Sequence, residues 1–185
     1  MIVKNIETIQ EIQDAINLDK NSFTDDEVGI LDTCIKWLNA CQDLYTAIFN
    51  GNELVGYINF MPLKKEVFEN YKQGKMIDND LKDSDILPFH KGDNYCLLTS
   101  IVIKQSYRNT NAIKILTQAL FKKINDHNKN KEIIKEIIFD CVSNDGEKYA
   151  KNFFDAILIK KSLIGKIYAV NGNKYFKLKN KKEDV

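Results

Sequence analysis

The chain has 185 residues, 44% of them hydrophobic, and a formal net charge of +1. That length is one ordinary domain, and the apolar content excludes an intrinsically disordered chain. Near-neutral charge argues against a dedicated nucleic-acid binder, which needs clustered excess Lys/Arg; the densest basic run, Lys177–Lys182, reads as part of a solvated tail from residue 179. No apolar run approaches the ~20 residues that span a bilayer, and Met1–Glu7 has no basic-then-apolar leader pattern. A cytoplasmic protein without a membrane segment is therefore expected. Cys34, Cys41, Cys96 and Cys141 form no Cys-x2-Cys pair, and His90 and His127 are isolated, so buried free thiols are expected and no metal site.

In chain order, Ile2–Ile6 reads as a short strand, and Glu7–Leu18 carries Ile9, Ile12, Ala15 and Ile16 at helical spacing. Thr24-Asp-Asp-Glu27 matches a capping box, predicting a second helix that buries Ile30, Leu31, Cys34, Ile35 and Leu38 and ends near Cys41. Leu44–Phe49 and Glu53–Leu63 read as a hairpin across Asn50-Gly-Asn52, which supplies residues that accept positive φ; Pro62 ends its second strand. Residues 64–94 read as an excursion, with a helix over Glu66–Gln73 and then a polar loop holding Asp78, Asp80, Asp83 and Asp85. Tyr95–Ile103 is apolar almost throughout and β-branched, a central strand. A turn at Lys104–Thr110 leads into a helix over Asn111–His127, whose stripe is Ala112, Ile113, Leu116, Ala119, Leu120 and Ile124. Glu136–Val142 reads as a strand and Glu147–Ala156 as a short helix; Gly165–Val170 and Lys174–Leu178 read as a last hairpin across Asn171-Gly-Asn173. With no linker or repeat, this is one α/β domain, helices flanking a central, mostly antiparallel sheet.

The informative stretch is the strand, turn and helix from Tyr95 to Ile124. Free amides at the start of such a helix, with its positive dipole end, form an anion site. Asn109 and Asn111, residues that tolerate left-handed backbone angles, flank the turn, and Arg108 adds a fixed charge. The plain alternative is a surface strand-to-helix connection with no ligand.

Tyr107-Arg-Asn-Thr-Asn-Ala-Ile-Lys-Ile-Leu116 resembles the acetyl-CoA signature of the GCN5-related N-acetyltransferases, usually Arg/Gln-x-x-Gly-x-Gly/Ala. The order of elements resembles that family along nearly the whole chain. Lys135–Phe154 resembles its later segment, where a strand is followed by an Asn and a helix bearing a Tyr, here Asn144 and Tyr149. This chain departs from the pattern in having Asn111 at the first Gly, Ile113 at the Gly/Ala position, Gln105 for a frequent Pro, and Tyr149 two residues early.

The resemblance implies an acetyltransferase that uses acetyl-CoA as acyl donor. Backbone groups of Ile101 and Ile103 would pair with the pantetheine arm, and the N–H of Ile101 or Val102 would polarise the thioester. Arg108, Asn109, Thr110, Asn111, Ala112 and Ile113 would hold the pyrophosphate, with Asn144 beside the cofactor. Tyr149 would protonate the leaving thiolate, as a phenol with a pKa comparable to a thiol's can, or would simply be an amphipathic-helix residue. The acceptor would be an amine of a small molecule or of a protein or peptide, and the chain a monomer or homodimer. The central strand offers no carboxylate as general base. A neutral amine, a water relay, or His90 or Asp93 remain, while Tyr57 and Asn59 line the acceptor site or are ordinary strand residues. The other reading is a catalytically silent binding or regulatory module of the same fold.

Overall fold

The computed structural model describes residues 1–23 and 28–172. The Thr24–Glu27 capping box, the strand expected at Lys174–Leu178 with the end of its turn, and the tail lie outside the described residues. Strand β1 (Ile2–Lys4) leads into helix α1 (Ile9–Asp19), whose start is fixed by Thr8 rather than at Glu7. The Thr8 hydroxyl accepts the Glu11 N–H at 3.2 Å and the Glu11 carboxylate accepts the Thr8 N–H at 3.2 Å, a reciprocal cap. Helix α2 (Leu31–Ala40) begins later than the sequence suggests, because Ile30 is extended and Gly29 sits where a Cβ would come within 2.9 Å of Cys34 Sγ.

Strands β2 (Tyr45–Asn50) and β3 (Glu53–Leu63) form the expected hairpin, with Gly51 at φ +60°. Helix α3 (Lys65–Lys72) follows. The stretch after it is more ordered than a polar loop. Two 3-10 turns, Asp78–Asp80 and Asp83–Asp85, are each closed by the aspartate at the third position, Asp80 or Asp85, which accepts the backbone N–H of Ile77 or Lys82. Leu81 and Ile86 are buried, and Lys64 and Leu87 N–H groups tie the segment back onto Asp85 and Pro62 carbonyls.

Strand β4 (Gly92–Ile103), helix α4 (Ala112–Lys129), strand β5 (Glu132–Cys141) and helix α5 (Asn144–Phe154) come next. The chain then makes a strand the sequence reading missed, β6 (Ile157–Lys161), which hairpins through Ser162–Gly165 into β7 (Lys166–Asn171). The seven strands among the described residues are ordered β1-β2-β3-β4-β5-β7-β6, and every neighbouring pair is antiparallel except β4 and β5.

Each face of the sheet carries its own core. Ile12, Ile16, Trp37, Leu38, Phe68 and Tyr71 from α1, α2 and α3 cover one face. Leu116, Leu120, Ile124, Tyr149 and Phe154 from α4 and α5 cover the other. Leu116, Leu120 and Ile124 are fully buried, each stabilising by about 1.5–3 kcal/mol. The four cysteines are free and buried. No helix among the described residues is long and apolar enough to cross a membrane.

Candidate active site

The parallel pair β4 and β5 positions the site. Strand β4 pairs with β5 from Gly92 through Leu98, opposite Phe139, and no further. Thr99 is skipped in the register with β3, where Phe60 faces Leu98 and Asn59 faces Ser100. It is a bulge, which re-aims the strand after it. Cys96 and Leu98 point into the core under α4, and after the bulge it is Ile101 and Ile103 that do so. Among the described residues, the carboxyl half of β4, Thr99–Ile103, therefore faces no strand on its β5 side.

The backbone groups of that half are sorted by alternation. The Lys104 N–H donates to the Val55 carbonyl at 2.8 Å. In an antiparallel ladder the hydrogen-bonded pairs then recur at Val102 with Tyr57 and Ser100 with Asn59. Ile101 and Ile103 direct their N–H and C=O into the gap, while Val102 is committed to β3. The Ile103 carbonyl accepts Arg108 Nε at 3.2 Å, which leaves the Ile103 N–H and both polar groups of Ile101 facing the gap. Gly56 opposite is required, since a Cβ there would lie 2.6 Å from the Val102 carbonyl oxygen and 2.5 Å from Ile103 Cδ1.

The turn beyond β4 is pinned from one side. Its 3-10 segment Gln105–Tyr107 docks on the β2–β3 hairpin: Tyr107 Oη donates to Glu53 Oε2 at 3.1 Å and accepts Asn50 Nδ2 at 3.0 Å, and Lys104 pairs with Glu53. Thr110 Oγ1 donates to the Tyr107 carbonyl at 2.7 Å and accepts the Ala112 N–H at 3.2 Å. The N–H groups of Asn109, Asn111, Ile113 and Lys114 make no hydrogen bond to other described residues, so four amides are open at the start of an 18-residue helix.

Neither Asn109 nor Asn111 uses a left-handed angle; Asn111 has φ −81°. The turn closes without positive φ, so a side chain can stand where the signature has glycine. Ile113 packs its side chain against the α4 core, and Ala112 is fully buried. Arg108 turns away from the open amides, its Nη2 donating to Ser22 Oγ at 3.3 Å.

A cavity of about 200 Å³ opens at the separation of β4 and β5, lined by Thr99, Ser100, Asp140, Val142, Tyr71 and Asp78 among others. Asp140, at the end of β5, is a site residue sequence reasoning missed. Burial, with Asp78 nearby, pushes its carboxyl up, although the hydroxyls of Ser162 and Tyr71 oppose the shift. Asp19 at the end of α1 is buried; its carboxylate accepts the Tyr57 hydroxyl at 2.6 Å, and burial pushes its pKa up to about 7 despite that bond. Tyr57 and Asn59 are both buried, and neither lines the cavity. No local signal marks either aspartate, since separate elements bring their surroundings together.

Tyr149 is buried between α5 and α4 against Phe153 and Phe154, its hydroxyl 3.1 Å from Thr117 Oγ1. The Thr117 proton is committed to the Ile113 carbonyl at 2.7 Å, so Tyr149 is the donor of that bond. Asn144 is exposed at the first turn of α5, after Ser143, whose hydroxyl accepts the Gly146 N–H. His90 and Asp93 lie at the opposite end of β4, Asp93 paired with Lys135 and roughly 26 Å of strand from Ile101. They cannot serve the gap.

No protein-family model and no curated protein matches this sequence. Solved structures do match its fold. The chain is similar to the GNAT-like decarboxylase GphF, solved with isobutyryl-CoA, with a TM-score of 0.68 at 8% identity over 92% of this chain and 99% of that one. It is similar to the loading GNATL domain of CurA from Lyngbya majuscula, with a TM-score of 0.62 at 7% identity over 94% and 98%. It is also similar to the PaiA N-acetyltransferase from Thermoplasma acidophilum, solved with coenzyme A, with a TM-score of 0.55 at 11% identity over 92% and 99%.

Proposed function

We propose that this chain, whose fold is that of the GCN5-related N-acetyltransferases, transfers an acetyl group from acetyl-CoA to an amine. The observation that carries the reading is the gap itself: β4 leaves β5 after Leu98, and its exposed backbone edge runs straight to four open amides. An extended pantetheine arm, which carries amides, can add to such an edge as a strand does. The pyrophosphate then falls at the start of α4, where N–H groups and the helix dipole favour an anion. The CoA and isobutyryl-CoA bound by PaiA and GphF support a shared acyl-CoA ligand.

In this reading the Ile101 N–H polarises the thioester carbonyl. Asn109, Asn111 and Ile113 hold the pyrophosphate through main-chain amides, with Asn144 at the rim. The amine attacks directly, and the protein contributes orientation and a fixed dipole. The thiolate takes a proton from Tyr149, whose O–H rotates away from Thr117 Oγ1 to reach it.

The fold also carries a decarboxylase in GphF, so acyl-CoA is the common ground and the amine is not. The discriminating experiment is thiol release from acetyl-CoA with and without an amine panel. Amine-dependent release with a matching acetylated product supports transfer. Binding of acetyl-CoA with no release on any amine leaves the silent binding module as the function.

A further inference from the structure

The acceptor cavity has its own chemistry. At about 200 Å³ it lies below the ~300–1,000 Å³ of sites for drug-sized ligands, so what enters is a small group. Its walls are apolar at Phe23, Ile77, Val142 and Ile164, and acidic at Asp78 and Asp140. No Lys or Arg lines it among the described residues. Asp140 Oδ1 accepts Ser162 Oγ at 2.7 Å, while Oδ2 is shielded from solvent and has no partner in hydrogen-bonding geometry among the described residues. The Tyr71 hydroxyl faces this carboxyl without completing a hydrogen bond to Oδ2, so the oxygen is under-satisfied, and an N–H arriving from the cavity supplies what it lacks.

We infer that the acceptor is a primary alkylammonium group, free or at the end of a lysine side chain, and that Asp140 takes its proton before attack. The inference rests on the acetyl-transfer reading above. Apolar walls fit the methylene stem and exclude a carboxylate beside the amine, which Asp78 and Asp140 would repel. At pH 7 an alkylamine with a pKa near 10.4 is neutral in only about one molecule in a few thousand, so removal of a proton is a large part of the task.

The proton balance closes within the site. Asp140 receives one proton from the ammonium, leaving a neutral amine. Its lone pair forms the C–N bond as the C–S bond breaks. The second nitrogen proton is lost as the thiolate gains one to leave as coenzyme A, and Asp140 returns its proton to solvent. The groups facing Asp140 are Asp78 from the 3-10 turn, Tyr71 from α3 and the Ser162 hydroxyl from the β6–β7 hairpin. Burial, and Asp78 after it, raise its proton affinity above that of an ordinary carboxylate, while the Ser162 and Tyr71 hydroxyls lower it.

The test uses the full chain with acetyl-CoA and three acceptors: a linear diamine, a lysine-containing peptide with a blocked N-terminus, and a peptide whose only amine is its α-amine. Acetylation of the diamine or the lysyl peptide, but not the α-amine, is expected. Asp140→Asn should lower kcat/KM at pH 7 by about 10²–10⁴-fold. The loss should shrink toward pH 10, where the amine deprotonates itself, and the acetyl-CoA shift in Tm should stay intact. Acetylation of the α-amine peptide alone, or a loss in Asp140→Asn that is the same at every pH, overturns the inference. Should acetyl-CoA bind and another amine of the wider panel be acetylated while neither the diamine nor the lysyl peptide is, the alkylammonium assignment is wrong. Failure to bind acetyl-CoA, or binding with no release on any amine, instead refutes the acetyl-transfer reading beneath it.

Discussion

Replacing Asp19 with asparagine should change how stability depends on pH. Burial raises the Asp19 pKa from 3.8 to about 7, the Tyr57 hydroxyl bond opposing and Asp78 reinforcing the shift. Below pH 4 the carboxyl is protonated folded or unfolded and contributes nothing to the difference. Between pH 4 and 7 the unfolded chain has lost the proton while the folded chain keeps it, so stability falls as pH rises. Above pH 7 the folded chain carries a buried carboxylate and the cost is constant. A shift of about three units corresponds to about 4 kcal/mol at 1.36 kcal/mol per unit. The substituted amide keeps an oxygen for the Tyr57 hydroxyl and cannot ionise. The stability of Asp19→Asn relative to the parent should therefore rise by about 4 kcal/mol between pH 4 and pH 8, whatever fixed cost the amide adds. Urea unfolding followed by circular dichroism at five or six pH values measures this. A stability difference flat across that window would refute the buried, proton-holding Asp19.

Gly56→Ala should push Val102 and Ile103 out of register, costing about 1–3 kcal/mol of stability and weakening acetyl-CoA at least several-fold; calorimetric titration with wild-type-like affinity would show that the edge of β4 is not used. Tyr149→Phe should cost about 1 kcal/mol by removing the bond to Thr117, and should lower kcat while leaving acetyl-CoA affinity unchanged; full turnover at every pH would remove Tyr149 from the chemistry. Leu120→Ala should destabilise by about 2–5 kcal/mol in denaturant melts, because Leu120 is fully buried on the sheet-facing side of α4, with amine specificity preserved.

Much of the architecture was legible because hydrophobic period and turn residues agree locally. Leu116, Leu120 and Ile124 announce α4, and Asn50-Gly51 announces the β2–β3 hairpin. Other features have no local signal. The bulge at Thr99 shifts the face of Ile101 and Ile103, which a strict period of two places opposite Cys96. Strand β6, Ile-Leu-Ile-Lys-Lys, is exposed at every position, so no alternation marks it. Thr8 and Thr24 both head box-like spacings; the structure shows the Thr8 box formed, with Glu11. In the site, the turn before α4 could be read because strand, polar turn and helix are contiguous. Asp19 and Asp140 could not, since their environments come from Tyr57, Asp78, Tyr71 and Ser162, far away in the chain.

The central claim is that the gap between β4 and β5 and the open amides before α4 hold an acyl-CoA. A thermal melt of the purified chain with acetyl-CoA at about 100 times its dissociation constant tests it directly. Binding to the folded state alone adds about 2.7 kcal/mol, or roughly 5–10 °C in Tm for a chain of this size. The account predicts that rise, with a clearly smaller one for acetylated pantetheine, which lacks the pyrophosphate. An unchanged Tm at millimolar acetyl-CoA would contradict it.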